Sequence, residues 1–167
     1  EIGAIPQREL DLSGQAFVAN SGLMTSSGHG VFAETPSVFG CRSDTPCDIN
    51  TERQEVEVTN SGIIMADALA SGFGNGIHIG SAATYRFDGV KIPISAPQVT
   101  IEQLAGVISG VTGIQLSDGN DIVSFLGGEI IGTGGTAIDF GGGDDVLIYN
   151  GLGTATGAIL GGSGLDT

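Results

Sequence analysis

Asp121-Ile-Val-Ser-Phe125, Gly128-Glu-Ile-Ile-Gly132, Thr136-Ala-Ile-Asp-Phe140 and Asp145-Val-Leu-Ile-Tyr149 follow one another as short apolar runs separated by Gly-rich turns. The first and last begin 24 residues apart, behind the turns Ser117-Asp-Gly-Asn-Asp121 and Gly141-Gly-Gly-Asp-Asp145. Three short strands and three turns per repeat is the arithmetic of a parallel β-helix. Each repeat is one coil of a solenoid, and stacking the coils buries an apolar face that no coil buries alone.

The same pattern extends upstream. Asn20-Ser-Gly22 and Asn60-Ser-Gly62 are one turn, and degenerate versions stand at Leu104-Ala-Gly106, Leu126-Gly-Gly128 and Asn150-Gly-Leu-Gly153. A strand precedes each: Ala16–Ala19, Val56–Thr59, Val99–Ile101, Ile122–Phe125 and Val146–Tyr149. A short apolar segment follows: Leu23-Met24, Ile63–Met65, Val107-Ile108 and Ile130-Ile131. Then come Gly- or Ala-led strands at Gly30–Ala33, Gly76–Ile79, Gly113–Leu116 and Ala137–Phe140. This predicts about five coils over residues 15–167, with residues 1–14 as a lead-in or cap. Two lateral insertions leave from turns, a Cys-bearing loop at about 34–53 and an aromatic and basic loop at about 81–97.

Alternation sets facing. Val31/Ala33, Ile77/Ile79, Ile114/Leu116 and Ile138/Phe140 are expected inside, with Phe32, His78, Gln115 and Asp139 as an outward row. A flat sandwich of two sheets is the alternative architecture. It is the weaker one, because the turns recur in one order and no Asn-Gly or Asp-Gly hairpin joins neighbouring strands cleanly. Ile64–Ser71 is the one stretch that reads as a helical turn.

Composition narrows the function classes. The chain has 167 residues, one domain by length, of which 30 are Gly, 40% are hydrophobic and 14% are charged. Gly at this density suits tight turns and close backbone stacking, while the apolar content argues against disorder. Net charge is −14, and the basic residues are Arg8, Arg42, Arg53, Arg86 and Lys91. Such a surface repels phosphate backbones and anionic lipid, so neither nucleic acid nor membrane is an expected partner. No apolar run is long enough to span a bilayer. Glu1-Ile-Gly-Ala-Ile-Pro6 lacks the charged start and apolar core of a signal peptide, so the chain reads as a mature or excised segment. Cys41 and Cys47 enclose Arg-Ser-Asp-Thr-Pro and fit a small disulfide in an oxidising compartment; free cytosolic thiols are the other reading.

Asn-Ser-Gly-x-Ile turns, Gly135-Thr-Ala-Ile-Asp-Phe140 and Gly141-Gly-Gly-Asp-Asp-Val-Leu147, recurring about once per coil, resemble the passenger regions of bacterial type V autotransporters. The resemblance covers about residues 15–167 through degenerate motifs. It implies export through an outer membrane and display of a right-handed parallel β-helix at the cell surface, in many members as an adhesin. The family's C-terminal translocator barrel and inserted protease domain do not appear in these residues, so export and activity rest on the resemblance alone. A partial second resemblance links Gly141–Leu147 and Gly161-Gly-Ser-Gly-Leu-Asp166 to RTX nonapeptides, whose Asp and backbone oxygens bind Ca²⁺. RTX motifs run in tandem, whereas these stand about 20 residues apart. Asp118, Asp121, Asp144 and Asp145 therefore either hold a weak Ca²⁺ or satisfy the backbone of their own turns.

Catalysis by a nucleophile needs a base and an orienting group within reach. The histidines are His29, in a turn, and His78, on an outward face, and they read as separate positions. Glu55 and Glu57 alternate with Val56 and Val58 and should face solvent. A β-helical carbohydrate-active enzyme needs clustered acids and bases along a groove, and basic residues are few. The expectation is therefore no enzyme, no cofactor beyond the weak Ca²⁺, and an extracellular or cell-surface scaffold or adhesin. Its partner would be a host or neighbouring-cell surface protein or glycan. A Ca²⁺-binding extracellular module and a self-assembling filament subunit are the alternatives. The expected contact residues are Tyr85, Arg86, Phe87 and Lys91, since aromatic and basic side chains dominate interface energetics; a loop folding over its own coil is the plainer reading. Gly161–Thr167 reads as a turn with no strand after it, which suggests a cut from a longer protein or end-to-end association.

Overall fold

The computed structural model describes residues 15–33, 55–66, 74–80, 84–87, 90–93 and 96–167. In chain order the strands are β1 (Gln15–Asn20), β2 (Leu23–Ser26), β3 (Val31–Ala33), β4 (Glu55–Asn60), β5 (Ile63–Ala66), β6 (Ile77–Ile79), β7 (Thr84–Phe87), β8 (Val90–Pro93), β9 (Gln98–Gln103), β10 (Val107–Gln115), β11 (Ile122–Phe125), β12 (Gly128–Asp139), β13 (Val146–Tyr149) and β14 (Gly153–Leu160). The described residues are all-β, without helix.

Two parallel sheets carry the repeat. The first runs β1-β4-β9-β11-β13, the five strands expected ahead of the turns. The second runs β14-β12-β10-β5-β2, with β3 and β6 extending it beside β10. Every neighbour in both sheets is the equivalent strand of the next repeat, paired in parallel. Ile122 lies beside Thr100 and Val146, and Ile114 lies beside both Ile77 and Ile138. Pairing is parallel throughout both of these sheets.

The core is the inward row of each sheet. Ile64, Ile77, Ile101, Ile108, Ile114, Ile130 and Ile138 are fully buried, joined by Val58, Val99, Val123 and Phe125. Alternation is clean: β4 and β5 each read exposed then buried along their lengths. Each fully buried aliphatic side chain contributes about 1.5–3 kcal/mol.

The structure corrects three expectations. First, the two segments after each Asn-Ser-Gly-type turn are separate strands only in the early repeats. In β10, β12 and β14 they fuse into one strand, bent at register shifts between Gly110 and Thr112 and between Ile131 and Ile138. Glycine makes the bend feasible: Gly135 and Gly157 adopt φ of 102° and 119°, which side chains rarely adopt. Second, Ile64–Ala66 belongs to β5 and not to a helical turn; residues 67–71 lie outside the described residues. Third, Gly161–Thr167 is more than a turn. Thr167 N–H donates to Asp145 O at 2.9 Å and its carbonyl accepts Leu147 N–H at 2.8 Å, so the chain there pairs with β13.

Of the two insertions, 34–53 with Cys41 and Cys47 lies outside the described residues. The other holds an antiparallel hairpin, β7 with β8, registered Phe87 to Val90, Arg86 to Lys91 and Tyr85 to Ile92. It forms its own two-stranded sheet, separate from the parallel ones.

Candidate functional site

Two corners of the stack concentrate its buried polar chemistry. At the end of β1, β4 and β9 stand Asn20, Asn60 and Gln103, all buried and in register. Asn20 Nδ2 donates to Asn60 Oδ1 at 2.9 Å, and Asn60 Nδ2 donates to Gln103 Oε1 at 2.8 Å. Asn20 Oδ1 and Asn60 Oδ1 accept Gly22 N–H and Gly62 N–H, closing each turn. An amide both donates and accepts, so it can pass the chain of bonds to the next repeat. Gln103 ends the row by donating to Ala105 O at 2.8 Å. Its turn, Gln103-Leu-Ala-Gly106, is one residue longer than Asn60-Ser-Gly62, and the longer side chain spans the difference. Beyond it the row becomes aromatic: Phe125 and Tyr149 stack at 5.5 Å, and Tyr149 Oη donates to Gly153 O at 2.7 Å. Gly106, with φ 71°, is required here, because a Cβ would run into the Gly62 carbonyl oxygen.

The second corner opens β9, β11 and β13. Val99 N–H donates to Asp121 Oδ1 at 2.8 Å, Asp121 N–H to Asp145 Oδ1 at 2.8 Å, and Asp145 N–H to Asp166 Oδ1 at 3.2 Å. A second file runs on the exposed side. There Asp144 N–H donates to Asn120 Oδ1 at 3.0 Å and Leu165 N–H to Asp144 Oδ1 at 3.0 Å. The expectation that these aspartates satisfy their own turns is therefore corrected for Asp121, Asp144 and Asp145. Stacking brings the equivalent N–H of the neighbouring repeat within reach, and the carboxyls bond across the stack. Asp121 and Asp145 are buried, whereas Asp118 and Asp144 are exposed. Burial raises the Asp121 pKa from 3.8 to about 7 against the opposing Val99 N–H, and the Asp145 carboxyl adds to the rise. The Asp145 pKa is raised too, first by burial and then, against the Asp121 N–H, by Asp166 and Asp144. Among the described residues no three His, Cys, Asp or Glu side chains are grouped to hold a metal ion.

The histidines correct another expectation. They read as separate positions, yet their rings stack at 4.6 Å and 19°. Phe32 joins them, 5.1 Å from His29 and 5.5 Å from His78. The loop before β3 sends His29 back over β6, where Asn75 holds both rings. Asn75 N–H donates to His29 Nδ1 at 3.1 Å, and Asn75 Nδ2 lies 3.0 Å from His78 Nδ1. The same amide donates to Gln115 Oε1 at 2.6 Å. Asn75 thus ties the two rings together, through its N–H to His29 Nδ1 and its side-chain amide to His78 Nδ1. The outward row continues Phe32, His78, Gln115, Asp139, as alternation requires. Asp139 turns away and accepts Gly141 N–H at 3.2 Å. The histidine pair thus packs and hydrogen-bonds between repeats.

On the outer face of the first sheet, Phe17, Glu55, Glu57, Gln98 and Thr100 rim a shallow depression of about 180 Å³. Phe17 is 67% exposed, and Glu55 and Glu57 face solvent as expected. Tyr85, Arg86, Phe87 and Lys91 fall on the β7–β8 hairpin, where the backbone register is described and the side chains are not. The structure therefore brings Asp121 and Asp145 together in one file, and Asp144 into the exposed file beside it.

No protein-family model, no curated protein and no solved structure matches this chain.

Proposed function

We propose that the chain is a secreted or cell-surface scaffold, a right-handed parallel β-helix of about five coils that presents rows of side chains in register, as an autotransporter-like passenger or adhesin does. One observation carries this reading: every equivalent strand pairs in parallel with the next repeat, and the buried polar side chains are used to bind repeat to repeat. Such a surface offers extended parallel rows, which suits avid contact with a protein or glycan on a host or neighbouring cell. Exposed apolar side chains on the outer faces, Phe17, Leu23, Phe32 and Met65, supply contact area.

The test is display of residues 1–167 on a non-adherent bacterium and counting of cells retained on host-cell monolayers and on immobilised glycans. Retention above that of a strain displaying the anchor alone is expected. Equal retention on every surface would remove the adhesive part of the reading.

A further inference from the structure

The aspartate corner holds oxygens that the hydrogen bonds leave unused. Asp121 is 0% exposed and Asp145 2% exposed, and each spends Oδ1 on a backbone N–H of the neighbouring repeat. Their second oxygens, Asp121 Oδ2 and Asp145 Oδ2, are buried without a hydrogen-bond partner, as is Ser117 Oγ at the same turn. A buried carboxylate oxygen bearing charge and lacking a donor is costly, and neutralisation is the usual escape.

Among the described residues, no compensating charge is found beside the file. Asp121 meets Val99 on the β9 side, whose preceding residues Ile94 to Gln98 are uncharged; its own turn adds Asp118 and Asn120; the next repeat adds Asp144 and Asp145. Asp145 in turn faces Asp121, Asp144 and Asp166. Among the described residues, the charged groups named around the file are all carboxylates.

We propose that this corner is a proton-operated latch: Asp121 and Asp145 clamp neighbouring repeats as neutral carboxylic acids, and loss of their protons loosens the corner. Protonation leaves Oδ1 free to accept the same N–H and removes the charge from the buried pair. Burial and neighbouring carboxylates raise both acids in the folded chain, Asp121 to about 7. A group with a raised folded-state pKa stabilises fully below its unfolded value and loses that contribution as pH rises through the folded one. The latch is therefore closed in mild acid and opens between about pH 4 and about pH 7 or above.

The carboxyl carbons of the intact chain, followed by NMR through a pH titration, test the proposal directly. Asp121 should titrate near 7. Amide exchange at Val99 and Asp121, corrected for the intrinsic rate, should lose roughly ten- to a hundredfold protection between about pH 5 and about pH 8. Asp121→Asn keeps the Oδ1 acceptor without the charge, so it should abolish most of that loss, while Asp118→Asn should leave it unchanged. An Asp121 midpoint near 4 overturns the latch, and that titration uses the unaltered chain. Equal pH dependence in the wild-type and Asp121→Asn proteins overturns it as well.

Discussion

The amide corner and the aspartate corner perform one task with opposite chemistry. Asn20, Asn60 and Gln103 bond side chain to side chain, because an amide carries a donor and an acceptor. Asp121 and Asp145 can only accept when ionised, so their file must borrow a backbone N–H at each step. The amide row spends both ends of each side chain and carries no charge. The aspartate row leaves an oxygen of each buried rung unpartnered. Stacking repeats therefore does not dictate one kind of joint. The residue at the corner decides whether the joint responds to protons.

The largest expected effect tests what both corners hang on. Ile114 is fully buried between Ile77 and Ile138, in the sheet that links the repeats. Ile114→Asp places a charge in a dry core and should cost several kcal/mol, enough to unfold the chain or nearly so. A denaturant midpoint close to wild type would mean that the inward row is not the common support of the two corners.

The next change converts one corner into the other. Asn60→Asp at a fully buried position leaves no donor for Gln103 Oε1 or the Gly62 carbonyl, so acceptors face acceptors. Stability should fall by about 2–4 kcal/mol near neutral pH and recover in part in acid, where the carboxyl is protonated and regains one donor. Wild-type Asn60 should show no pH dependence at this corner. Urea midpoints of both proteins at two pH values decide it; a pH-independent loss would say that charge is not what separates the corners.

The smallest effect lies where the amide row gives way to rings. Tyr149→Phe keeps the stack on Phe125 and deletes the bond to Gly153 O, at a cost of about 0.5–1.5 kcal/mol. A loss well beyond that range would show that the hydroxyl, and not the stack, continues the row.

Most of the architecture was legible in the sequence because it is periodic. Two-residue alternation in Val56/Val58 and Ile77/Ile79, repeated behind turns of one type, is enough to align equivalent strands, and the parallel register follows that alignment. Gly106 was legible as a turn residue for the same reason. The antiparallel pairing of β7 with β8 overturns the expectation that no Asp-Gly hairpin joins neighbouring strands cleanly; its signal in the sequence is Asp88-Gly89 between two strand-like runs. What only the tertiary structure decided is which side chains meet across repeats. Asn60 and Gln103 are 43 residues apart, Asp121 and Asp145 are 24 apart, and His29 and His78 lie on different local elements. Local sequence reports a residue's own turn, whereas these contacts depend on the register in which one repeat pairs with the next. Burial is decided there too: Asp118 and Asp121 are three positions apart in one turn, yet one faces solvent and the other is enclosed by the stack. Charge state follows from that enclosure, since desolvation is a property of the packed neighbours and not of the residue type.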